Sequence, residues 1–147
     1  METLNIADWT NSYFSRIDKL KTDSAPRFGK MDVSQMLCHC ADQIRIITGE
    51  LKIDVDKSIN PDEVISLAKA GKPVQTPKGM DQVKGEGTNP TDFENDKAIL
   101  KKLITKYTEL PNDFEFGIHP IFGKIDKNQW HKLVLYHLNH HLSQFGV

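Results

Sequence analysis

Apolar residues recur along this chain at helical rather than strand spacing, and four main segments emerge. From about residue 6 to 22, Trp9, Tyr13, Ile17 and Leu20 fall at intervals of four, four and three, the stripe of an amphipathic helix. Pro26 and Gly29 break the stretch that follows. A second helix opens at Asp32, an N-cap with Gln35 placed to complete a capping box, and carries Val33, Leu37, Cys40, Ile44 and Ile47 on one face until Gly49 stops it. A third opens with the capping pattern Thr91-Asp92-Phe93-Glu94, buries Phe93, Leu100, Leu103, Ile104 and Tyr107, and runs to about Leu110, where Pro111 ends it. A fourth starts at Asp126 with Gln129 as capping partner and has Leu135, Leu138, Leu142 and Phe145 as its apolar stripe.

No segment reads as a strand. The pattern therefore predicts an all-α four-helix bundle, with residues 1–147 as one domain. Residues 51–90 are the least regular part. Asn60-Pro61-Asp62-Glu63 has the form of a cap, a first-turn proline and acidic residues at a helix start, which predicts a short extra helix to about Ala70, ended by Gly71. Residues 72–90 hold three prolines and three glycines and read as an ordered crossover between the second and third main helices.

Two stretches repeat. Pro26-Arg27-Phe28-Gly29-Lys30-Met31-Asp32 and the four residues after it align without gaps on Pro120-Ile121-Phe122-Gly123-Lys124-Ile125-Asp126 and the four after that, with Pro, Phe, Gly, Lys, Asp and Gln coinciding. Each copy is a turn, an apolar staple and a capping box, so the same device launches the second and fourth helices. This suggests two similar helix pairs joined by the crossover; independent convergence on a good cap is the alternative.

Four of the six histidines lie in residues 130–147. His137 and His141 are four apart, hence one turn apart on one helix face, the spacing at which two imidazoles share one metal ion. They project about 100° from the leucine stripe, on a strip shared with Trp130 and Val134. His39 sits at the matching edge of the second helix, beside Met36 and Gln43. If the two edges meet at the rim of the bundle, three imidazoles converge and leave coordination positions open, as in a catalytic site. No H-E-x-x-H glutamate is present, so the metalloprotease reading falls away. The alternative is half-buried histidines bonded to backbone or water. Gln144, on the same strip, either orients a ligand or is a polar residue near a frayed end. His119, in the loop feeding the fourth helix, and His140 are the candidates for acid or base; a loop histidine satisfying backbone groups is the simpler reading of His119. His131 reads as partly buried near the helix start.

Composition narrows the function classes. A formal net charge of −1 argues against a nucleic-acid or anionic-membrane footprint. No apolar run approaches the length of about 20 residues that a membrane span needs, and the opening residues show no secretion signal, which makes the cytoplasm the expected compartment. Cys38 and Cys40 would point about 200° apart on a helix, so they cannot bridge each other and are expected to be reduced. Cys40 reads as a small core residue, with Cys38 directed away from that face.

The strings D-V-S-Q-M-L-C-H at 32–39 and H-L-N-H-H-L-S-Q at 137–144 resemble those of the DinB/YfiT-like superfamily. The H-P-x-F-G turn at 119–123 and the ending H-L-x-H-H-L-x-Q-F-G are similar to one small branch of it. The resemblance implies an up-down-down-up four-helix bundle, often dimeric, with a three-histidine site for nickel, zinc or a similar divalent ion. Its histidines correspond to His39, His137 and His141. It also implies thiol-dependent transferase or isomerase chemistry with a low-molecular-weight thiol such as bacillithiol, mycothiol or glutathione. Two readings stand: a divalent-metal-dependent enzyme acting on a small-molecule substrate, and a non-catalytic helical binding or interaction module with structural histidines.

Overall fold

A computed structural model of the chain describes the backbone of residues 6–147 and the side chains from Trp9 onward; the opening residues read above for a secretion signal lie outside the described residues. Five helices follow in order: α1 (Ile6–Asp18), α2 (Val33–Thr48), α3 (Pro61–Lys69), α4 (Phe93–Thr108) and α5 (Lys127–Gln144), with a single 3-10 turn at Gln82–Lys84 between α3 and α4. There is no strand among the described residues, only an isolated bridge between His119 and Gly123. None of the described helices is long and apolar enough to cross a membrane.

The caps set where the long helices begin. Asp32 and Asp126 each accept from the backbone N–H three residues on, while Gln35 and Gln129 reach back to the cap N–H, so both capping boxes form. Gly29 and Gly123 adopt the left-handed conformation at equivalent points of the repeated turn, and Met31 and Ile125 pack as staples against the core. Asn60 caps α3, with Pro61 at its first position. At α4 the expected cap moves by one residue. Asp92 accepts from the Asn95 N–H, because Thr91 is committed through its N–H and hydroxyl to the buried Asp96 carboxylate. The first helix stops at Asp18 rather than near residue 22, since the Lys19 and Leu20 N–H groups turn to the carbonyls three residues back. Leu20 is still carried into the core.

Side-chain contacts give the helix directions. Tyr13 bonds the Leu135 carbonyl, and Arg16 reaches Asn139 and Ser143, so α1 and α5 run parallel. Trp9 meets Tyr107 while Asp18 pairs with Lys97 and Lys101, so α4 runs opposite to α1. Cys38 faces Asp96 and Glu50 pairs with Lys106, so α2 runs with α4. The bundle is up-down-down-up across α1, α2, α4 and α5. Each of α1 and α2 packs against both α4 and α5.

In this ring α2 is the most enclosed member. Its expected apolar face is buried, but so are Met36, Cys38, Ala41 and Ile46 on its other sides. Cys38, read from the sequence as pointing away, is enclosed because α4 covers that flank. Both cysteines are unbridged. On α5 the spine is Trp130, Val134, Leu138 and Leu142, whereas Leu135 is only partly buried. Trp130 and Val134, assigned above to the histidine strip, are fully buried members of the main core. The crossover is ordered by buried carboxylates. Asp42 on α2 accepts from the Thr88 N–H at 2.9 Å and hydroxyl at 2.6 Å and from Arg45 at 2.8 Å. These charge-assisted bonds offset the cost of enclosing the carboxylate.

Between α4 and α5 the backbone passes close to the end of α2: Gly117 donates to the Ile47 carbonyl at 3.0 Å, and its own carbonyl accepts from the Trp130 indole at 3.1 Å. A side chain at Gly117 would drive its Cβ into the Ile46 carbonyl oxygen. Gly117→Ala is therefore expected to lower the denaturant midpoint more than cap removal by Asp126→Ala. The cap itself is worth about 1 kcal/mol. Urea unfolding of the two variants beside the parent checks both magnitudes.

Candidate metal centre

Antiparallel α2 and α5 bring His39 opposite the helical turn between His137 and His141. The three ring centroids lie 4.7, 4.7 and 4.5 Å apart. One nitrogen from each ring lies within 4.8 Å of the others, close enough for the three to hold a metal ion. His39 is 6% exposed and His141 8%. The cluster thus lies under the crossover rather than at an open rim, because Met80 of that segment is seated against it.

Hydrogen bonds on the outer side of two rings fix which nitrogen points inward. His39 Nδ1 lies 3.2 Å from the Met80 carbonyl oxygen, which only accepts, so Nδ1 carries the proton and Nε2 a bare lone pair. His141 Nδ1 lies 2.8 Å from Gln144 Oε1. The amide orientation of Gln144 follows from its other contact, where its Nε2 donates to the Phe28 carbonyl at 2.8 Å. His141 Nδ1 is therefore also a donor, leaving Nε2 free to coordinate. These outer bonds set tautomer and ring orientation in the way metal-binding histidines require. Gly29 supports the same arrangement. It holds φ at +80°, and a Cβ there would collide with the Gln144 side-chain nitrogen.

The third ring does not satisfy itself. His137 Nε2 lies 2.9 Å from His39 Nε2, while His137 Nδ1 is buried with no hydrogen-bond partner. Two bare lone pairs at that separation repel. A shared proton removes the repulsion but leaves Nδ1 an orphaned acceptor, a loss of about 1–3 kcal/mol. A cation among the inward nitrogens also removes the repulsion, and His137 Nδ1, then the protonated nitrogen, still has no partner. A tetrahedral zinc sphere with Zn–N near 2.0–2.1 Å separates its nitrogens by roughly 3.3 Å, beside the 2.9 Å between His137 and His39 and the 4.8 Å within which all three lie. The donor set therefore fits a divalent transition metal.

Electrostatics agree with the geometry. Burial, with the neighbouring His39 adding to it, pushes His141 down to about 3. Burial and then the adjacent His141 and His39 hold His137 well below the ordinary imidazole range. Burial also lowers His39, against the Met80 carbonyl and Asp42, which pull the other way. All three are neutral at physiological pH, the ligating form.

The cluster forms part of the wall of a cavity of about 900 Å³ bounded by α3, the crossover and the 119–122 turn. His119 and His140 line it too. His119 Nδ1 accepts from the Ile121 and Phe122 N–H groups at 3.0 and 3.2 Å, which places its proton on Nε2. It satisfies backbone groups as expected of a loop histidine while presenting one further polar atom. His140 is half-buried, stacked on Tyr136 at 5.8 Å and 5.5 Å from Phe28. His131 is elsewhere, bonded to the Tyr107 hydroxyl at 2.8 Å beneath Trp9. Neither cysteine belongs to the histidine group. Burial pushes the Cys38 thiol up to about 12 and raises Cys40 as well, so both are protonated core groups. Sequence reasoning missed the Met80 carbonyl, which no side-chain pattern could signal, since every residue carries one.

Burial lowers His119 to about 4, below its unfolded value near 6.5. The unfolded chain then binds more protons between those values, so stability falls as pH drops from about 6.5 toward 4. His119→Asn, which keeps an acceptor near the two N–H groups, is expected to flatten that slope by about one proton's worth. Thermal melts across the window, with and without the substitution, check it.

Comparison with known proteins adds one match. The model of a family described as "Protein of unknown function (DUF1569)" matches residues 61–146, more than half of the chain. The matched region spans α3 to α5, with His119, His137, His140 and His141, and leaves out His39. No curated protein and no solved structure matches the chain. The chain is thus a member of the family described as Protein of unknown function (DUF1569).

Proposed function

We propose that this protein is a divalent-metal-dependent enzyme of the DinB/YfiT-like superfamily, with nickel or zinc held by His39, His137 and His141. The observation that carries this reading is the pair of outer hydrogen bonds, His39 to Met80 and His141 to Gln144, which turn two Nε2 lone pairs toward the ring of His137. A purely structural histidine cluster has no need of that arrangement, in which His39 Nε2 and His137 Nε2 lie 2.9 Å apart. Three protein ligands beside a cavity leave room for a small molecule, as catalytic rather than structural sites do.

A divalent ion held there supplies positive charge that favours the deprotonated form of a thiol or water. The chain's own groups do the rest. His119, proton on Nε2, donates a hydrogen bond to an oxygen developing charge on an electrophilic substrate. His140, neutral at the cavity wall, is the base candidate. The core thiols Cys38 and Cys40 are buried and protonated, so the nucleophile comes from outside the chain, which suits a low-molecular-weight thiol co-substrate and a transferase or isomerase reaction.

Protein purified without a histidine tag is expected to carry about one divalent ion per chain by elemental analysis, and His141→Ala or His39→Ala to carry essentially none while remaining folded. Gln144→Leu, which keeps all three ligands, is expected to weaken metal affinity about 10–100-fold. A parent protein that is empty and also refuses added zinc and nickel would sink the enzyme reading and favour a non-catalytic binding module.

A further inference from the structure

The cavity over the histidines has a division of chemistry that bears on what enters it. Its walls are predominantly apolar, with Val64 of α3, Ile121 and the partly buried Val74 and Phe122 forming a small core of their own beside Ile59. Of the six large apolar side chains exposed among the described residues, four gather at the same place, Val55 and Ile118 lying outside it. Phe28, Ile65, Val83 and Tyr136 are between 41% and 49% exposed, and all four line this cavity. Exposed apolar side chains scattered singly need no explanation, but a cluster at one opening marks a binding surface.

Charge is distributed just as unevenly. Lys30, Lys69 and Lys72 line the cavity, all exposed, and none is in an ion pair among the described residues. The ion pairs among the described residues instead use Arg45, Lys97, Lys101 and Lys106. One carboxylate, Asp81, lines the cavity, and it is occupied in capping the 3-10 turn by accepting from Val83 and Lys84. The opening is thus basic on a chain whose net charge is −1. Uncompensated cations around an apolar hollow attract anions and concentrate them there.

We infer that the cavity takes a small amphiphilic acid, whose aliphatic or aromatic body lies along the apolar walls toward the histidines while its anionic group stays among Lys30, Lys69 and Lys72 at the mouth. This deepens the functional reading above and rests on the cavity being the substrate site. In that pose the reactive end of the molecule is the end remote from the acid group. The volume of about 900 Å³ lies within the usual range for small-molecule sites. Exposed lysines confer modest, salt-sensitive attraction each, so the three together set selectivity for the acid while the walls supply most of the affinity.

The test compares octanoate with octanamide, the same chain with and without charge, by titration calorimetry on the full-length protein. Octanoate is expected to bind roughly fivefold more tightly at low salt. That preference should vanish in the combined Lys30→Gln, Lys69→Gln, Lys72→Gln variant and fade at about 0.5 M salt. Octanamide affinity should stay the same in that variant, and Ile65→Ser should weaken both ligands. Equal binding of the two probes, or none of either, would overturn the inference. So would a preference that survives the lysine changes but disappears on chelation, since the acid group would then be held by metal at the histidines. Metal content measured on the same samples separates the two questions: preserved octanoate selectivity in metal-free protein supports the ligand class even where the metal assignment fails.

Discussion

Three imidazoles gathered at one point, His39 and His141 buried and tied on their outer nitrogens to carbonyl oxygens, form the constraint around which this molecule is organised. A buried neutral histidine must place one donor and one acceptor. His39 and His141 place their donors on Met80 and Gln144, and so both present acceptors toward His137. His137 meets those acceptors either by donating from Nε2 or by sharing a cation with them, and its Nδ1 is unpaired in both cases. The surrounding fold keeps the cluster in place. Trp130, Val134, Leu138 and Leu142 are essentially inaccessible, and burial of side chains of that size contributes about 1.5–3 kcal/mol each.

The parts of the site differ in stiffness. The three histidine rings come from α2 and α5, both started by capping boxes and locked against the core, which suits groups that must meet within a fraction of an ångström. The far wall of the cavity comes from α3 and the crossover, held by carboxylates on Thr88 and Thr91 and by a short 3-10 turn. A rigid ligand set faced by a loop-built wall is a common division between the conserved chemistry of a scaffold and the adjustable shape of its pocket.

Much of this was legible beforehand. The caps at Asp32, Asn60 and Asp126, the stop at Gly49 and the pairing of His137 with His141 by one helical turn are local, and local rules located them. Of the two readings of Gln144, orienting a neighbouring histidine or lying polar near a frayed end, its bond to His141 matches the first. Errors arose where a neighbour in space changed the outcome. The cap of α4 shifted to Asp92 because Thr91 is engaged by Asp96. Cys38 is enclosed because α4 lies against it, and Trp130 and Val134 belong to the core because α5 buries a wider face than its leucines mark.

The sequence by itself determined which residues are helical, where the long helices start and which histidines share a face, since these depend on backbone propensity, capping and a fixed rise and turn per residue. Only the tertiary structure decided that His39 meets the other two, that the cluster lies beneath a crossover instead of on an open edge, and that a main-chain oxygen sets one tautomer. Those outcomes depend on the register between helices about a hundred residues apart and on the path of a segment with no periodicity. Packing fixes both, and packing is a property of the whole chain rather than of any stretch of it.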